Sequence, residues 1–235
     1  MARASRVINE TEVEDAMYVE QIMTRAVDTV TADMKLSHAA QVMREKSRRY
    51  LPVVDDKNHL VGLFSQKELD RAEPSAITTL SVGEVNYLTA KITVGELMVR
   101  EVITCAPDTL VEDAGRLIRD RRIGNLPVID NGELVGVVSE TDILDFFLDV
   151  MGCGMDNATR IAVSLPNKAR ALGSLLHEIN DAGGYIATVV SPVSQMSSPK
   201  RVAIVRYTAE QPQQVDETLR QQGYELINEI LPHSD

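Results

Sequence analysis

A duplicated stretch constrains this sequence more than any other feature. Residues 19–69 align with residues 94–143 at roughly 16 identities in about 50 positions, with a one-residue gap. The identical pairs include Met23 with Met98, Arg25 with Arg100, Thr29 with Thr104, Asp33 with Asp108, Pro52 with Pro127, Gly62 with Gly136 and Ser65 with Ser139. A unit of about 50 residues buries too little surface to be stable alone, so the two copies are expected to pack together.

Each copy has the pattern of a strand, a helix, two further strands and a second helix. In the second copy, Asn131 and Gly132 separate two runs rich in β-branched residues, which predicts a tight β-hairpin. The first helix is predicted to begin at Asp33 in one copy and at Asp108 in the other, because aspartate is a good N-cap. Apolar residues spaced three and four apart predict its buried face: Leu36, Ala39, Ala40 and Met43, or Val111, Ala114 and Ile118.

The recurring motif is a Pro-Val pair with an aspartate at the end of one strand, then Gly-x-x-Ser at the end of the next. The paired units resemble a tandem pair of CBS domains, the Bateman module. The resemblance implies an α/β (α+β) fold and an intracellular sensor of adenine-containing nucleotides. The expected segments are a polar leader (1–15), a first CBS domain (16–70), a connecting segment (71–93) whose Val82, Val85, Tyr87 and Leu88 indicate a packed helix, and a second CBS domain (94–150).

The remaining residues predict a different domain after a glycine-containing hinge at 151–158. Strands are expected at Arg160–Leu165, Tyr185–Val193, Arg201–Thr208 and Tyr224–Ile230, with one helix ending before Gly183 and another running from Pro212 to Gly223. This βαββαβ order at 159–231 is a ferredoxin-like plan, and it resembles an ACT domain. The resemblance implies amino-acid sensing or dimerisation, but Arg170 stands where the amino-acid-binding motif of that family has glycine. Along its whole length the chain resembles the AcuB-type proteins of bacterial acetoin utilisation.

Composition limits the partners and the compartment. The 235 residues suit two domains, and the formal net charge of −11 disfavours nucleic acid and anionic membranes as partners. Without an apolar run of about 20 residues or a signal-peptide core, the protein is expected to be cytoplasmic. The two cysteines, Cys105 and Cys153, fit a reducing compartment in which neither is bridged. No metal-ligand spacing and no resident cofactor are expected.

The CBS resemblance predicts a nucleotide site in the second copy, within the cleft between the repeats. Asp142 is the matching family position for a carboxylate that accepts hydrogen bonds from the ribose hydroxyls. Unpaired backbone N–H groups near Ser139 and Thr141, at a helix N-terminus, can hold an anion. The other candidate residues of this site are Ile103, Thr104, Asn125, Leu126, Pro127 and Val137 around the base, with Arg121 and Arg122 for phosphate.

A second, weaker nucleotide site is predicted in the first copy. Its candidate residues are Thr29, Tyr50, Leu51, Pro52, Leu63, Ser65 and Glu68, with Arg25 and Arg100 as further phosphate-binding candidates and Lys46, Arg48 and Arg49 nearby. Glu68 stands where the family usually has aspartate. A structural alternative stays open for both copies, since Ser-x-x-Asp and Ser-x-x-Glu are also capping boxes that stabilise a helix start.

The leading functional hypothesis is a non-catalytic, homodimeric regulator that binds an adenine nucleotide in the CBS pair and relays the event to the ACT-like domain. The alternative hypothesis makes both domains docking and oligomerisation modules without a ligand. An enzymatic role has little support, because no nucleophile, base and orienting group can be assembled from the motifs.

Overall fold

The computed structural model describes residues 17–72, 91–192 and 198–227. The chain divides into two compact units, Met1–Leu144 and Asp145–Asp235, and each is described by itself. The predicted polar leader, most of the predicted connecting segment with its apolar residues, and the end of the predicted last strand lie outside the described residues. Within the described residues, no helix combines the length and the apolar character needed to cross a lipid bilayer.

The first unit contains the same set of elements twice. The first set is α1 (Val19–Ile22), α2 (Leu36–Glu45), β1 (Tyr50–Val54), β2 (Leu60–Ser65) and α3 (Gln66–Ala72); the second is α4 (Val94–Leu97), α5 (Val111–Arg121), β3 (Asn125–Asp130), β4 (Glu133–Ser139) and α6 (Glu140–Val150), which continues into the second unit. Each repeat has one antiparallel hairpin, β1 with β2 and β3 with β4. The predicted hairpin turn is confirmed, since Asn131 and Gly132 have positive φ angles of 47° and 90°.

The buried faces of α2 and α5 are as predicted, but their starting points are not. Both helices begin three residues after the expected N-caps Asp33 and Asp108, so that prediction was wrong. The residue immediately before each helix, Lys35 or Leu110, is extended and forms a β-bridge to the other repeat. These bridges hold the backbone out of the helical conformation until the following residue.

The strand expected at the start of each repeat is reduced to one bridging residue. Val30 pairs in parallel with Val53 of β1, and Cys105 pairs in the same way with Val128 of β3. A tight turn precedes each bridge, closed in the first repeat by a 3.1 Å hydrogen bond from the Val27 amide to the Arg25 carbonyl. The chain is therefore extended for too few residues to form a full strand.

The two repeats exchange their first segments. Val94 and Met98, from the start of the second repeat, are buried in the core of the first repeat together with Phe64. In the reciprocal contact, the Val19 amide donates a 2.9 Å hydrogen bond to the Thr109 carbonyl of the second repeat. Each repeat therefore packs against a segment of the other, which gives a physical reason why the two copies occur together.

The second unit has the predicted βαββαβ order. Its elements are β5 (Thr159–Pro166), α7 (Ala171–Asp181), β6 (Tyr185–Val190), β7 (Lys200–Thr208), α8 (Pro212–Gln221) and β8 (Glu225–Ile227). The strands form an antiparallel sheet in the order β6-β7-β5-β8. The predicted glycine ends of both helices are confirmed, since Gly183 and Gly223 have positive φ angles of 87° and 85°. The strand predicted to reach Val193 ends at Val190.

One face of this sheet packs against α7 and α8. Its buried core includes Val163 on β5, Tyr207 on β7, and Leu175 and Leu219 on the two helices. Tyr207 is fully buried, and its hydroxyl donates to the Asp216 carboxylate at 3.0 Å. Burial, followed by the hydrogen bond to Asp216 and the charge of that carboxylate, raises the pKa of Tyr207. The contact ties the first turns of α8 to the sheet.

Candidate functional site

Two cavities open in the first unit, and the residues of both repeats line each of them. The larger cavity has a volume of about 750 Å³. The smaller cavity has a volume of about 170 Å³. The sequence predicts one site for each copy, whereas the structure combines part of one predicted set with part of the other.

The smaller cavity brings the second-copy acid to the first-copy hairpin. Its lining includes the predicted residues Tyr50, Pro52, Val137, Ser139 and Asp142. It also includes Thr24, Ala26, Val27 and Asp28, which the sequence analysis missed, and Arg48. The signal that could have found this segment is the repeat itself, because residues 24–28 follow Met23 as residues 99–103 follow Met98.

The larger cavity has the reciprocal arrangement, with the first-copy acid beside the second-copy hairpin. The predicted residues in its lining are Tyr50, Leu63, Ser65, Glu68, Ile103, Arg122, Asn125, Ser139 and Thr141. Lining residues that the analysis missed as candidates include Ser47, Lys67, Val99, Glu101, Val102, Ile123, Gly124 and Glu140. Tyr50 and Ser139 line both cavities, so the two are adjacent parts of one cleft.

Ser139 and Asp142 form a capping box at the start of α6. The Ser139 hydroxyl and backbone N–H donate to Asp142 Oδ2 at 2.6 and 2.8 Å, and the Asp142 N–H donates to Ser139 Oγ at 3.3 Å. In the first repeat the Ser65 hydroxyl donates to the carboxylate of Glu68, which is only 7% exposed. The predicted capping box is thus confirmed in the second repeat, whereas the first repeat has only the bond between the two side chains. Each acid retains oxygen lone pairs for another donor.

The charge of Asp142 acts on the phenol of Tyr50 across the smaller cavity. Partial burial raises the pKa of the Tyr50 phenol; the negative charge of Asp142 adds to the rise and the positive charge of Arg48 opposes it. Arg48 Nε also donates to Asp28 Oδ2 at 2.9 Å in an ion pair. The smaller cavity therefore presents the groups of one phenol, two acidic side chains and one guanidinium.

Positive side chains line the larger cavity. Arg49, Lys67 and Arg122 all contribute to its wall. Among the described residues, none of these three side chains has a hydrogen-bonding or ionic partner. Together with Arg48 they outnumber the acidic lining residues Glu68, Glu101 and Glu140. The cavity can thus accommodate an anion near these side chains at little electrostatic cost.

Several predicted residues lie elsewhere. Arg25 Nη2 donates to the Glu20 carbonyl at 3.0 Å, and Arg100 Nη2 donates to the Gly95 carbonyl at 2.9 Å. These paired arginines bind backbone carbonyls of α1 and α4. This structural role explains why arginine recurs at the equivalent position of both repeats, with no need for a bound nucleotide. The other predicted residues outside both linings are Thr29, Leu51, Thr104, Arg121, Leu126 and Pro127. Leu51 and Leu126 are fully buried, because strand alternation turns them into the core.

The described residues offer no recognisable metal centre. In residues 17–72, 91–192 and 198–227, no three His, Cys, Asp or Glu side chains cluster closely enough to hold an ion.

Comparison with known families agrees with the duplicated architecture. Residues 19–75 and 94–149 match the model of the CBS domain. Residues 19–149 therefore form a tandem pair of CBS domains, and a C-terminal α/β region follows them.

Curated relatives carry the same pair in different settings. A CBS domain-containing protein of Dictyostelium discoideum is 28% identical over 134 residues, which are 57% of this chain and 92% of that protein. A glycine betaine/carnitine/choline transport ATP-binding protein of Bacillus subtilis is 33% identical over 57% of this chain and 32% of its own length. A homoserine O-acetyltransferase of Methanosalsum zhilinae is 29% identical over 53% of this chain and 23% of its own length. The chain thus spans only a small part of these last two proteins.

Solved structures resemble the same region. CBSX2 in complex with AMP superposes with a TM-score of 0.50 and 26% identity, covering 57% of this chain and 98% of that one. A protein from Vibrio cholerae, provisionally described as the acetoin utilization protein AcuB, has a TM-score of 0.50 and 25% identity, covering 59% and 95%.

Proposed function

We propose that this protein is a non-catalytic regulator whose CBS pair binds an adenine nucleotide in the cleft between its repeats. The observation that carries the proposal is the arrangement of a Ser–acid pair beside each cavity, with unpaired cations on the wall of the larger one. CBSX2, which is similar over the same residues, has been solved with AMP.

A carboxylate can accept hydrogen bonds from both hydroxyls of a ribose. Asp142 in the smaller cavity and Glu68 in the larger cavity are the acids in position for this role. Each is already oriented by a serine, so little side-chain entropy is lost when a sugar binds. Glu68 is one methylene longer than Asp142, and the two cavities differ in volume. We therefore expect two sites of unequal affinity.

Phosphate groups would bind the cations of the larger cavity. Arg49 and Arg122 can each present a fork of N–H donors to phosphate oxygens, and Lys67 adds a compact positive charge. Because these side chains have no protein partner among the described residues, no ion pair has to break when a phosphate arrives. The charge of the site favours an anionic nucleotide over the corresponding nucleoside.

The C-terminal unit is proposed to be a ferredoxin-like, ACT-like domain that receives the regulatory signal. Its βαββαβ order and its antiparallel sheet order support this assignment. Arg170 precedes α7 with a positive φ of 71°, a backbone conformation that glycine adopts more readily. Its side chain occupies the position where an amino-acid-binding ACT domain would be open, so we propose relay or dimerisation rather than amino-acid binding. The similarity to the Vibrio cholerae protein over 59% of this chain supports an AcuB-type role. Homodimerisation is part of the same proposal.

One observation favours a second candidate function, a docking module without a ligand. Both acids of the cleft already accept hydrogen bonds from serine hydroxyls, and Asp142 does so within a capping box, so the cleft is locally satisfied without a nucleotide. Under this alternative the repeated Ser–acid pairs serve only to begin α3 and α6. The two candidate functions predict opposite responses to added nucleotide.

Thermal unfolding of the full-length chain separates the two. A ligand that binds only the folded protein raises the unfolding midpoint as its concentration exceeds Kd. We expect millimolar AMP, ADP or ATP to raise the midpoint by several degrees, with ribose 5-phosphate as the matched control that lacks a base. A midpoint that is unchanged by all three nucleotides would support the docking module instead.

A further inference from the structure

The two repeats differ in chemistry at one pair of equivalent positions. Alignment of the repeats places Asp28 on Ile103 and Arg48 on Ile123. The backbone agrees, because Arg48 and Ile123 follow α2 and α5 in the same way. The amide of each donates to a carbonyl near the end of its helix, at 2.8 Å in the first repeat and 3.2 Å in the second. An acid and a base in the first repeat thus stand where the second repeat has two aliphatic side chains.

These four residues line different cavities. Asp28 and Arg48 line the smaller cavity, whereas Ile103 and Ile123 line the larger one. Arg48 Nε donates to Asp28 Oδ2 at 2.9 Å, and the two side chains are 45% and 27% exposed. The wall of the smaller cavity is therefore a partly solvated ion pair at the place where the larger cavity has hydrocarbon.

The smaller cavity is too small to enclose a whole nucleotide. Its volume is about 170 Å³, against about 750 Å³ for the larger cavity. Pockets that enclose small-molecule ligands usually measure about 300–1,000 Å³. Arg48 has the longest flexible side chain in the lining of the smaller cavity, and it also lines the larger one. Rotation of this side chain out of the smaller cavity would enlarge it, but would break the bond to Asp28.

The ion pair is also a less favourable contact surface than the isoleucines. A flat ring laid against Ile103 and Ile123 would remove apolar surface from water, which is favourable. The same ring laid against Asp28 and Arg48 would displace water from two charges, and this desolvation offsets part of the gain. A given ligand should therefore bind more weakly beside the ion pair, even where space allows it.

We propose that the Arg48–Asp28 ion pair closes the smaller cavity and is the cause of the unequal affinity of the two sites. A ligand that enters the smaller cavity must separate the pair, and the free energy of separation is subtracted from the free energy of binding. Ile103 and Ile123 impose no such cost on the larger cavity. This inference rests on the proposed nucleotide binding and adds the residues that control access to the weaker site.

Exchanging the ion pair for the side chains of the other repeat tests the inference. Glu68→Ala removes the acid of the larger cavity and serves as the background, so that binding in the smaller cavity is measured. In this background the double substitution Asp28→Ile, Arg48→Ile should strengthen adenosine binding roughly fivefold, as measured by calorimetry on the full-length chain. Adenosine is the probe because it is uncharged, so the loss of two charged side chains does not itself attract or repel it.

Two further variants locate the effect. Asp113→Ile, Arg116→Ile removes an ion pair of α5 whose residues line neither cavity, and it should leave adenosine affinity unchanged. Adding Asp142→Ala to the isoleucine variant should abolish the gain, because Asp142 lines the smaller cavity. A gain that survives Asp142→Ala would place the effect outside this cavity and overturn the inference.

A second opening variant covers the case in which the isoleucine variant does not fold. Asp28→Asn removes the charge of the acid, nearly preserves its shape, and should also strengthen adenosine binding. Cooperative denaturant unfolding identifies the folded variants. Unchanged adenosine affinity in the folded variants, with AMP binding by the parent intact, would overturn this inference alone. If neither the parent nor the folded variants bind adenosine or AMP, the proposed function is overturned as well.

Discussion

Met23 lies directly against Gly136, although the two residues belong to different repeats. A Cβ atom at Gly136 would lie 2.5 Å from Met23 Sδ and 3.2 Å from the Thr24 carbonyl oxygen. The symmetric contact occurs at Gly62, where a Cβ would lie 2.5 Å from Met98 Sδ. The glycine and methionine that recur in each repeat are therefore one interlocking contact used twice.

Substituting either glycine should weaken the first unit. We expect Gly136→Ala to lower the free energy of unfolding by about 1–3 kcal/mol, because the methyl group overfills a packed contact that includes backbone. Gly124→Ala is the matched control, since nothing lies within 4 Å of its Cβ position. Denaturant unfolding of the three proteins measures the difference. Equal midpoints for Gly136→Ala and the parent would show that the repeats do not interlock in this way.

Replacing Asp142 should have two separable effects, one on stability and one on nucleotide binding. Asp142→Ala removes the capping box at α6, which should cost about 1 kcal/mol of stability without ligand. It should also remove nucleotide binding in the smaller cavity. Asp149→Ala, on the same helix and with the same charge change, controls for electrostatics because Asp149 lines neither cavity. If Asp142→Ala binds nucleotide as tightly as the parent, Asp142 only caps α6 and does not bind the ligand.

Replacing an unpaired cation of the larger cavity should weaken nucleotide binding more strongly as the phosphate charge of the ligand increases. Arg49→Gln and Lys67→Gln should each weaken ATP binding by roughly fivefold, a change typical of partly solvated charge pairs, and leave adenosine binding unchanged. Added salt should reduce the difference. Arg116→Gln is the control, since Arg116 pairs with Asp113 on α5 and lines neither cavity. Calorimetry with adenosine, AMP and ATP gives the comparison; an equal loss for adenosine would assign these residues another role.

The two thiols should differ sharply in reactivity. Cys153 is exposed, whereas burial raises the pKa of the Cys105 thiol from 9.0 to about 11. We expect a thiol reagent at pH 8 to label Cys153 in the native protein and Cys105 only after unfolding. Mass spectrometry of digested protein identifies the labelled site. Rapid labelling of Cys105 under native conditions would show that the core of the second repeat opens easily.

Cys105 should also make stability depend on alkaline pH. The folded pKa is raised, so its contribution is fully present below the unfolded pKa near 9.0 and is lost as pH rises towards about 11. Between these values the unfolded state releases the proton first. The parent should thus lose more stability from pH 9 to 11 than Cys105→Ala, as measured by denaturant unfolding. The buried phenol of Tyr207, whose pKa is also raised, contributes equally to both proteins.

Local signals predicted much of the fold. Asn131 and Gly132 marked a hairpin because few residue pairs tolerate two positive φ angles. Gly183 marked a helix end for the same reason. The helix starts were mistaken because Lys35 and Leu110 are held extended by bonds to the other repeat, and such long-range bonds leave no trace in the local sequence.

The sequence named many of the residues that line the cleft, but it grouped them by repeat and not by cavity. Alignment of the repeats identified Tyr50, Ser139 and Asp142 as candidates, and the structure brings them together in the smaller cavity. The alignment could not show that each acid faces the hairpin of the opposite repeat, because that arrangement depends on the exchange of first segments between the repeats. Leu126 illustrates the same limit, since periodicity alone did not show which strand face meets the core.

Equilibrium binding of labelled AMP to the full-length chain tests the central claim most directly. The proposed function predicts saturable binding by the parent, with affinity lowered at least about tenfold in the Asp142→Ala, Glu68→Ala double variant, since both ribose-binding carboxylates are lost. The double variant must retain its cooperative unfolding for the comparison to hold. Absence of saturable binding by the parent, or unchanged affinity in the folded double variant, would contradict a nucleotide-binding cleft built on these two acids.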